Sequence, residues 1–327
     1  MNRHSLDRAV RTLSVGLCLL GTSCLAYGQS WPAKPIRFIV PFAAGGVTDV
    51  VIRTISPKLS EALGQPIVIE NKGGAGGTLG TALGAKSAPD GYTFIVPAAS
   101  HTTTPSLYTH LSFDPIKDFV PVTQIVSVPY LLVVPPSSPA TTLADFMSRL
   151  KANPSAFTFG SAGNGSSNHL AGQLLADAVG VSPVHVPYKG SGPALADLMG
   201  GQISFMFDPI NTSAPQIQAG RLRVLGIGSL KPSKIMPGLA PIADTFPGFE
   251  AATWIGLLAP AGTPKEIVSR MHREVEKVVR LPDIQERLSA SGAEPVASTP
   301  DQFGAYMAGE VAKWGRLVKQ AGIPPVQ

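Results

Sequence analysis

Apolar residues in this chain come in short continuous runs, and these alternate with longer stretches in which they recur every three or four positions. That is the pattern of buried strands separated by amphipathic helices. Ile36-Arg37-Phe38-Ile39-Val40 reads as a first strand, and Thr48 to Leu63 as a helix with Ile52, Ile55, Leu59 and Leu63 on one face, stopped by Gly64. Pro57 falls inside that helix and is expected to kink or distort it. Ile67 to Glu70 restarts a strand, Gly73 to Thr78 opens a small-residue helix through Lys86, and Asp90-Gly91 turns the chain into a strand at Tyr92 to Val96. This order implies a parallel sheet covered on both faces, with any ligand outside the carboxyl ends of its strands.

A second alternating series follows, long enough for a sheet of its own: strand Leu131 to Val134, helix Leu143 to Lys151, strand Phe157 to Ser161, helix Ser167 to Val179, and strands Val184 to Val186 and Ile203 to Phe207. Leu222 to Ile227 is one more apolar run, and Lys231 to Phe249, rich in Pro and Gly, reads as an extended surface connection. Trp254 to Leu258 is a further strand. Thr263-Pro264-Lys265-Glu266 and Thr299-Pro300-Asp301-Gln302 read as capping boxes with Pro at the first helical position. The helices they open carry apolar stripes, Ile267, Met271, Val275 and Val278 in one and Phe303, Met307, Val311, Trp314 and Val318 in the other, the latter ending at Gly322 with Pro324 beyond. Such stripes are core.

The first 28 residues are not expected to join the fold. Arg3, Arg8 and Arg11 form a basic start, Leu13 to Leu20 a short apolar core, and Ala26-Tyr27-Gly28 a small-residue cleavage site, the layout of an export leader. The apolar run is shorter than the ~20 residues of a spanning helix. Gly21-Thr22-Ser23 ahead of Cys24 lacks the large aliphatic residue that lipidation favours, so soluble export to the periplasm is expected. Both cysteines, Cys18 and Cys24, lie in the leader, which leaves the mature chain without disulfides, thiolate metal sites or a cysteine nucleophile. Removing three arginines and one aspartate takes the net charge from +5 to +3, and no basic stripe for nucleic acid remains.

The chemistry suggested most strongly is anion binding. Pro41-Phe42-Ala43-Ala44-Gly45-Gly46-Val47-Thr48-Asp49 puts a glycine turn and a helix start directly after the first strand, where backbone N–H groups gather at the positive end of a helix dipole. Strand-glycine-helix turns are generic in α/β folds, so this one alone does not decide. The turn at 73–78 has no Lys-Ser or Lys-Thr pair after its glycines, and Gly160 to Gly165 lacks the dinucleotide order, so nucleotide and other cofactors are not expected. His110, His169, His185 and His272 show no metal-ligand spacing, and no metal is expected. His169 is expected to pack or bond within its helix and His272 to lie on an exposed face.

Seven segments carry a resemblance: WPAKPIRFIVPFAAGGVTD, the Gly64-Gln65-Pro66 strand entry, NKGGAGGTLG, APDGYTF, GSAGNGSSNHLAG at 160–172, VPYKGSGPALADLMGGQISFMFD at 186–208, and WIGLLAPAGTP. Together, in order over residues 31–327, they resemble the Bug-type receptors of the TctC family, periplasmic solute-binding proteins associated with tripartite tricarboxylate transporters. The resemblance implies an α/β type II periplasmic binding fold of two lobes. Each lobe is a mostly parallel sheet flanked by helices, and the ligand cleft lies between them. Lobe 1 is then 29–127 with 253–327 and lobe 2 is 128–252. The crossings fall near Ser127 to Tyr130 and Glu250 to Thr253, and hinge closure about them is the expected motion.

What the resemblance implies for the site is capture of a small organic carboxylate through backbone amides, hydroxyls and water, for which no arginine is needed. On lobe 1 the candidates are Phe42, Gly45, Gly46, Thr48 and the loop around Ser100 and His101. Thr48 either bonds ligand or caps its helix. On lobe 2 they are Ser161, Ala162, Gly163, Gly165 and Ser166, with Asp208 at a strand end. Asp208 either meets the ligand, an amine in particular, or caps Asn211-Thr212-Ser213 or holds the hinge. Asp49 is expected to favour the helix dipole and to repel a carboxylate. The expected partners are the carboxylate and the permease subunits of a tripartite tricarboxylate transporter, with the receptor a monomer. One rival keeps the fold but has a membrane sensor read the closed receptor without transport. An exported hydrolase is the other, disfavoured because no GxSxG elbow is present and Ser166 and His169 share one helix start.

Overall fold

The structure is a computed structural model that describes residues 31–320 together with 322, 323 and 325. The leader expected at 1–28, and Pro324, lie outside the described residues. The chain divides into Met1–Ala33, of which 31–33 are described, and Lys34–Gln327, which carries the helices and strands found among the described residues.

The first half of the larger unit runs β1 (Ile36–Val40), α1 (Val47–Leu63), β2 (Ile67–Asn71), a 3₁₀ turn at Ala75–Gly77, α2 (Thr78–Ala85), β3 (Thr93–Ile95), α3 (Ser100–Leu107) and β4 (Phe119–Val134). Next come α4 (Leu143–Ala152), β5 (Thr158–Ser161), α5 (Ser167–Val179), β6 (Val184–Pro187), α6 (Ser191–Met199), β7 (Phe205–Pro209), α7 (Ile210–Gln218) and β8 (Arg223–Ile227). The chain ends with β9 (Ala252–Pro260), α8 (Lys265–Val279), α9 (Pro282–Ala290), β10 (Glu294–Pro295) and α10 (Pro300–Gln320).

The strands form one continuous sheet in the order β2-β1-β3-β9-β4-β7-β5-β6, with β8 and β10 also paired to β4. Away from the centre the pairs β1 with β2 and β3, and β5 with β6 and β7, are parallel, as the βαβ order requires. Every pair made by β4 or β9 is antiparallel, because these two strands carry the chain out of the first half of the sheet and back into it. The sheet is therefore mixed.

β4 links the two parts of the sheet. Residues Phe119 to Pro129 pair with β9, and Tyr130 to Val133 pair with β7. At that handover Tyr130 N–H bonds the Ala251 carbonyl at 2.9 Å, Ala251 N–H bonds Gly228 at 2.9 Å, and Gly228 N–H returns to Tyr130 at 2.8 Å. Beyond it, Leu132 and Val134 pack with Phe146, Phe159, Phe205 and Phe207 on one face, and Leu131 and Val133 with Leu195, Leu198 and Met206 on the other. Alternating side chains thus fill two cores. In the first half Trp254, Leu258, Phe303 and Met307 build a separate core. A smaller cluster joins the halves, with Leu170 of α5 against Leu107, Trp314, Leu317 and Val318.

Several expectations need correction. α1 runs through Pro57 without a break, because Pro57 and Arg53, whose carbonyl loses its amide partner, are both solvent-exposed. The Thr299 capping box forms, with Gln302 N–H on Thr299 Oγ1 at 3.2 Å and Thr299 N–H on Gln302 Oε1 at 3.0 Å. The Thr263 box does not: its hydroxyl donates to the Pro260 carbonyl at 2.8 Å, and Pro264 is the N-cap of α8 rather than its first residue. The 231–249 connection is irregular as expected, apart from a 3₁₀ turn at Ile242–Asp244.

Candidate functional site

Two glycine turns, at the carboxyl ends of β1 and β5, hold most of the candidate site residues. In the first, Ala43 to Gly46 are exposed and Gly45 takes a φ of +82°, a left-handed conformation that glycine adopts without strain. Gly46 is the N-cap of α1, in extended conformation and with no side chain capping the helix. The first-turn amides of Val47, Thr48 and Asp49 are donors that helix geometry leaves without an internal acceptor. Thr48 is buried and does not cap α1.

The organiser of this turn is Asp49. Its Oδ2 accepts the Gly45 N–H at 2.8 Å, both oxygens accept Arg53 Nε at 2.9 Å, and Oδ1 accepts Asn71 Nδ2 at 3.0 Å. Burial by itself would raise this carboxyl. The bonds from Arg53, the Gly45 amide and Asn71, with the arginine charge, outweigh it and hold Asp49 below the ordinary aspartate range. Asp49 therefore does more than favour the dipole, and it takes the Gly45 amide out of the set a ligand can use. Asn71 Nδ2 also reaches the Phe42 carbonyl at 3.1 Å, so β2 clamps the turn from the side.

The neighbouring loops close on this turn. A Cβ on Gly73 would lie 3.2 Å from Ala43 N, and one on Gly77 would lie 3.4 Å from the Phe42 ring. Phe42, Gly76, Gly77, Ser100, His101 and Thr104 line one small pocket. Ser100 and His101 are not in a loop: they form the first turn of α3, whose threonines satisfy their helix by back-bonding, Thr104 Oγ1 to the Ser100 carbonyl at 2.5 Å and Thr102 Oγ1 to Ala99 at 2.9 Å. His101 is buried, with Nε2 2.8 Å from the Pro115 carbonyl and its ring between Phe113 and Phe119. Since the carbonyl can only accept, Nε2 carries the hydrogen and Nδ1, which has no protein partner, is an acceptor. Burial pushes His101 down to about 4, so it offers an anion no charge at neutral pH.

The second turn, 161–166, is bonded mostly to itself. Gly163 and Gly165 have φ of +129° and +73°. Ser161 Oγ, fully buried, accepts the Gly163 N–H at 3.1 Å and donates to the Gly163 carbonyl at 3.0 Å. Ser166 N–H and Oγ both go to the Gly163 carbonyl, at 3.1 and 2.7 Å, and the same hydroxyl accepts His169 N–H as the N-cap of α5. The Gly165 N–H is bound by His169 Nδ1 at 3.0 Å. Ser161, Gly163, Gly165 and Ser166 thus spend their donors on the turn's own shape, Ala162 is half-buried with its carbonyl accepting the Gly190 N–H at 3.2 Å, and Asn164 is exposed. The amides of Ser167 and Asn168 remain at the start of α5. α3 brings the turns together, since Ser100 and His101 at its start line the pocket beside Phe42, and Leu107 at its end lies 3.1 Å from the Cβ position of Gly165.

Asp208 is fully buried in β7. Its Oδ2 accepts Thr212 Oγ1 at 2.5 Å and Ser213 Oγ at 2.6 Å, the bonds of a carboxylate holding the start of α7, while Oδ1 has no protein partner. Burial pushes its pKa up, against the two hydroxyl bonds. Tyr130, at the handover in β4, is buried beside it, bonds Ser167, and is pushed up to about 12 chiefly by burial.

Sequence reasoning missed Asn71, Tyr130 and Ser167, which come from separate elements, and the structural weight of Asp49. The Asp49-Arg53 spacing of four on a helix was the one signal available. His272 is half-buried rather than on an exposed face, with Nε2 3.0 Å from the Ser298 carbonyl. His169 does bond locally, and it also stacks on His185 of β6 at 3.8 Å. Among the described residues no group of three His, Cys, Asp or Glu is placed to hold a metal ion.

Residues 51–323 match the family described as TctC, tripartite tricarboxylate transporter family receptor. Protein BugT of Bordetella pertussis is 33% identical over 97% of this chain and 98% of its own. A solved structure of an R. palustris protein with adipate has a TM-score of 0.74 and 36% identity, covering 90% of this chain and all of that one. MatC from Rhodopseudomonas palustris with bound malate gives 0.69 and 34%, over 88% of this chain and all of the other. These neighbours share the two-lobed α/β fold of periplasmic binding proteins, and the chain belongs to the TctC family of tripartite tricarboxylate transporter receptors.

Proposed function

We propose that the protein is a periplasmic receptor, exported by the leader at 1–28, that captures a small organic carboxylate between two lobes and delivers it to a tripartite tricarboxylate-type permease. The observation that supports this best is the pair of glycine turns, one in each half of the sheet, each opening a helix whose first amides have no internal acceptor. Val47, Thr48 and Asp49 would bind one end of the anion and Ser167 and Asn168 the other, with Phe42 and Gly46 setting how closely it approaches. Oriented amides replace a carboxylate's water shell without a fixed cation.

In this reading lobe 1 is 29–127 with 253–327, lobe 2 is 128–252, and closure bends the backbone where Tyr130, Gly228 and Ala251 exchange hydrogen bonds. The ligand drives closure only by its greater affinity for the closed form. No bond is made or broken, and the receptor acts as a monomer. Support for the carboxylate comes from the relatives solved with adipate and malate.

A thermal-shift screen of protein lacking residues 1–28 against C4 to C6 dicarboxylates, tricarboxylates, acidic amino acids and aromatic acids tests the proposal. A ligand at 100 times its Kd adds ~2.7 kcal/mol of stability, so a selective rise in Tm is expected with one of these acids. A folded, ligand-free protein that none of them stabilises would refute the carboxylate assignment.

A further inference from the structure

Two histidines are built into the second glycine turn. His169, on the first turn of α5, accepts the Gly165 N–H on Nδ1 at 3.0 Å. His185, on β6, has Nε2 2.7 Å from Ser161 Oγ, the hydroxyl that also holds both the amide and the carbonyl of Gly163. The two rings are stacked with centroids 3.8 Å apart and planes 4° apart, and Phe159 lies against both.

The hydrogen bonds fix the chemical form of His169 and the donor atom of His185. An amide can only donate, so Nδ1 of His169 is bare and its proton is on Nε2. With the Ser161 hydroxyl donated to the Gly163 carbonyl, Nε2 of His185 carries a proton and donates to Oγ. His169 is therefore neutral, and a stack this close disfavours placing a charge on His185. Burial, and for His169 the neighbouring ring, hold both below the ordinary histidine range.

From this arrangement we infer that His169 and His185 are positioning residues for ligand capture: they hold Gly165 and Gly163 in the left-handed conformations that set the shape of the lobe 2 turn. Neither need touch the ligand. The inference rests on the carboxylate-capture reading for its consequence, and on the bonds to Gly165 and Ser161 for its geometry. Without the Nδ1 acceptor the Gly165 amide would turn to another partner, and the start of α5 would no longer be presented in one orientation. A binding turn held in several orientations loses affinity by the fraction of time it is misplaced.

The test compares two substitutions of His169 in the protein lacking residues 1–28. His169→Phe keeps a flat ring in the stack and loses the acceptor; His169→Asn loses the ring and places a carbonyl oxygen near the position of Nδ1. Affinity for adipate and malate is read by calorimetry, and exchange of the Gly165 amide by NMR. The expected result is at least a tenfold loss of affinity and tenfold faster Gly165 exchange in His169→Phe, with His169→Asn within threefold of the parent in both.

Equal losses in the two variants, or a His169→Phe protein that binds and exchanges like the parent, would overturn the inference. A parent protein that takes up neither acid would set aside adipate and malate as its ligands and not the positioning role, which the exchange rates would then decide by themselves. If His169→Phe does not fold, His185→Leu against His185→Gln repeats the comparison at Ser161, with the Gly163 amide as reporter and the same outcomes.

Discussion

Replacing Gly46 by threonine separates stability from binding. Gly46 is the N-cap of α1 at φ −71° and ψ 166°, an extended conformation that a β-branched residue adopts readily, and a Cβ there would have only the Ala43 carbonyl oxygen nearby, at 3.4 Å. Threonine and glycine rank together as N-caps, so Gly46→Thr should change stability by no more than ~0.5 kcal/mol. Its hydroxyl, however, accepts the amide of Thr48 or Asp49, one of the donors proposed for the ligand. A hydrogen bond to a charged group contributes ~1.5–3 kcal/mol, which is about 10- to 150-fold in affinity. Urea unfolding and calorimetric titration with the best carboxylate measure the two effects. Gly45→Thr is the contrast: at φ +82° it should lose ~1–2 kcal/mol of stability through backbone strain. A folded Gly46→Thr protein with parental affinity would refute the role given to these amides.

Three further outcomes follow from the same geometry. Gly228→Ala would put a Cβ 2.2 Å from the Ala251 carbonyl oxygen at the handover between the halves, and should cost ~1–3 kcal/mol in urea unfolding; no loss would argue against a tight crossing there. His101 is neutral in the fold with its pKa lowered to about 4, so the stability it contributes is complete above pH ~6.5 and falls as pH drops from there through about 4, by up to ~3 kcal/mol. His101→Gln should flatten that part of the stability profile, and an unchanged slope would contradict the assignment. Asp208→Ala strands the buried Ser213 hydroxyl and should cost ~1–3 kcal/mol, whereas Asp208→Asn keeps an acceptor and should lose less; equal losses would reject the helix-holding role.

What was legible in the sequence follows the strength of its periodicity. Ile36–Val40 and Ser167–Val179 are bounded as expected, because an unbroken apolar run and an N-cap serine with a terminal glycine are local signals. The full length of β4 was hidden by Pro121 and Pro129. They are tolerated because the pairing with β9 shifts register after Pro121 and the strand changes partners after Pro129. The helix α3 was hidden by its threonines and Pro105, residues that disfavour helix until packing against α10 and back-bonding hydroxyls support one. The short helices α6, α7 and α9, of nine residues each, give too few turns for a period to stand out.

The candidate site was legible as a pair of turns and not as a network. Gly45, Gly46, Gly163 and Gly165 announce themselves by composition and spacing. The partners that hold them do not, because Asn71 reaches Asp49 from a different strand and His185 reaches Ser161 from the edge of the sheet. The consequence was chemical: glycine amides that look available in the sequence are, at Gly45, Gly163 and Gly165, already bonded in the fold.

Amide NMR during titration with adipate or malate tests the central claim most directly, using protein lacking residues 1–28. Capture between the lobes predicts that the amides of Val47, Thr48 and Asp49 and those of Ser167 and Asn168 shift together, with one saturation curve, and that Tyr130, Gly228 and Ala251 shift with them as the hinge bends. Shifts confined to one turn, or centred away from both, would contradict capture between two helix starts.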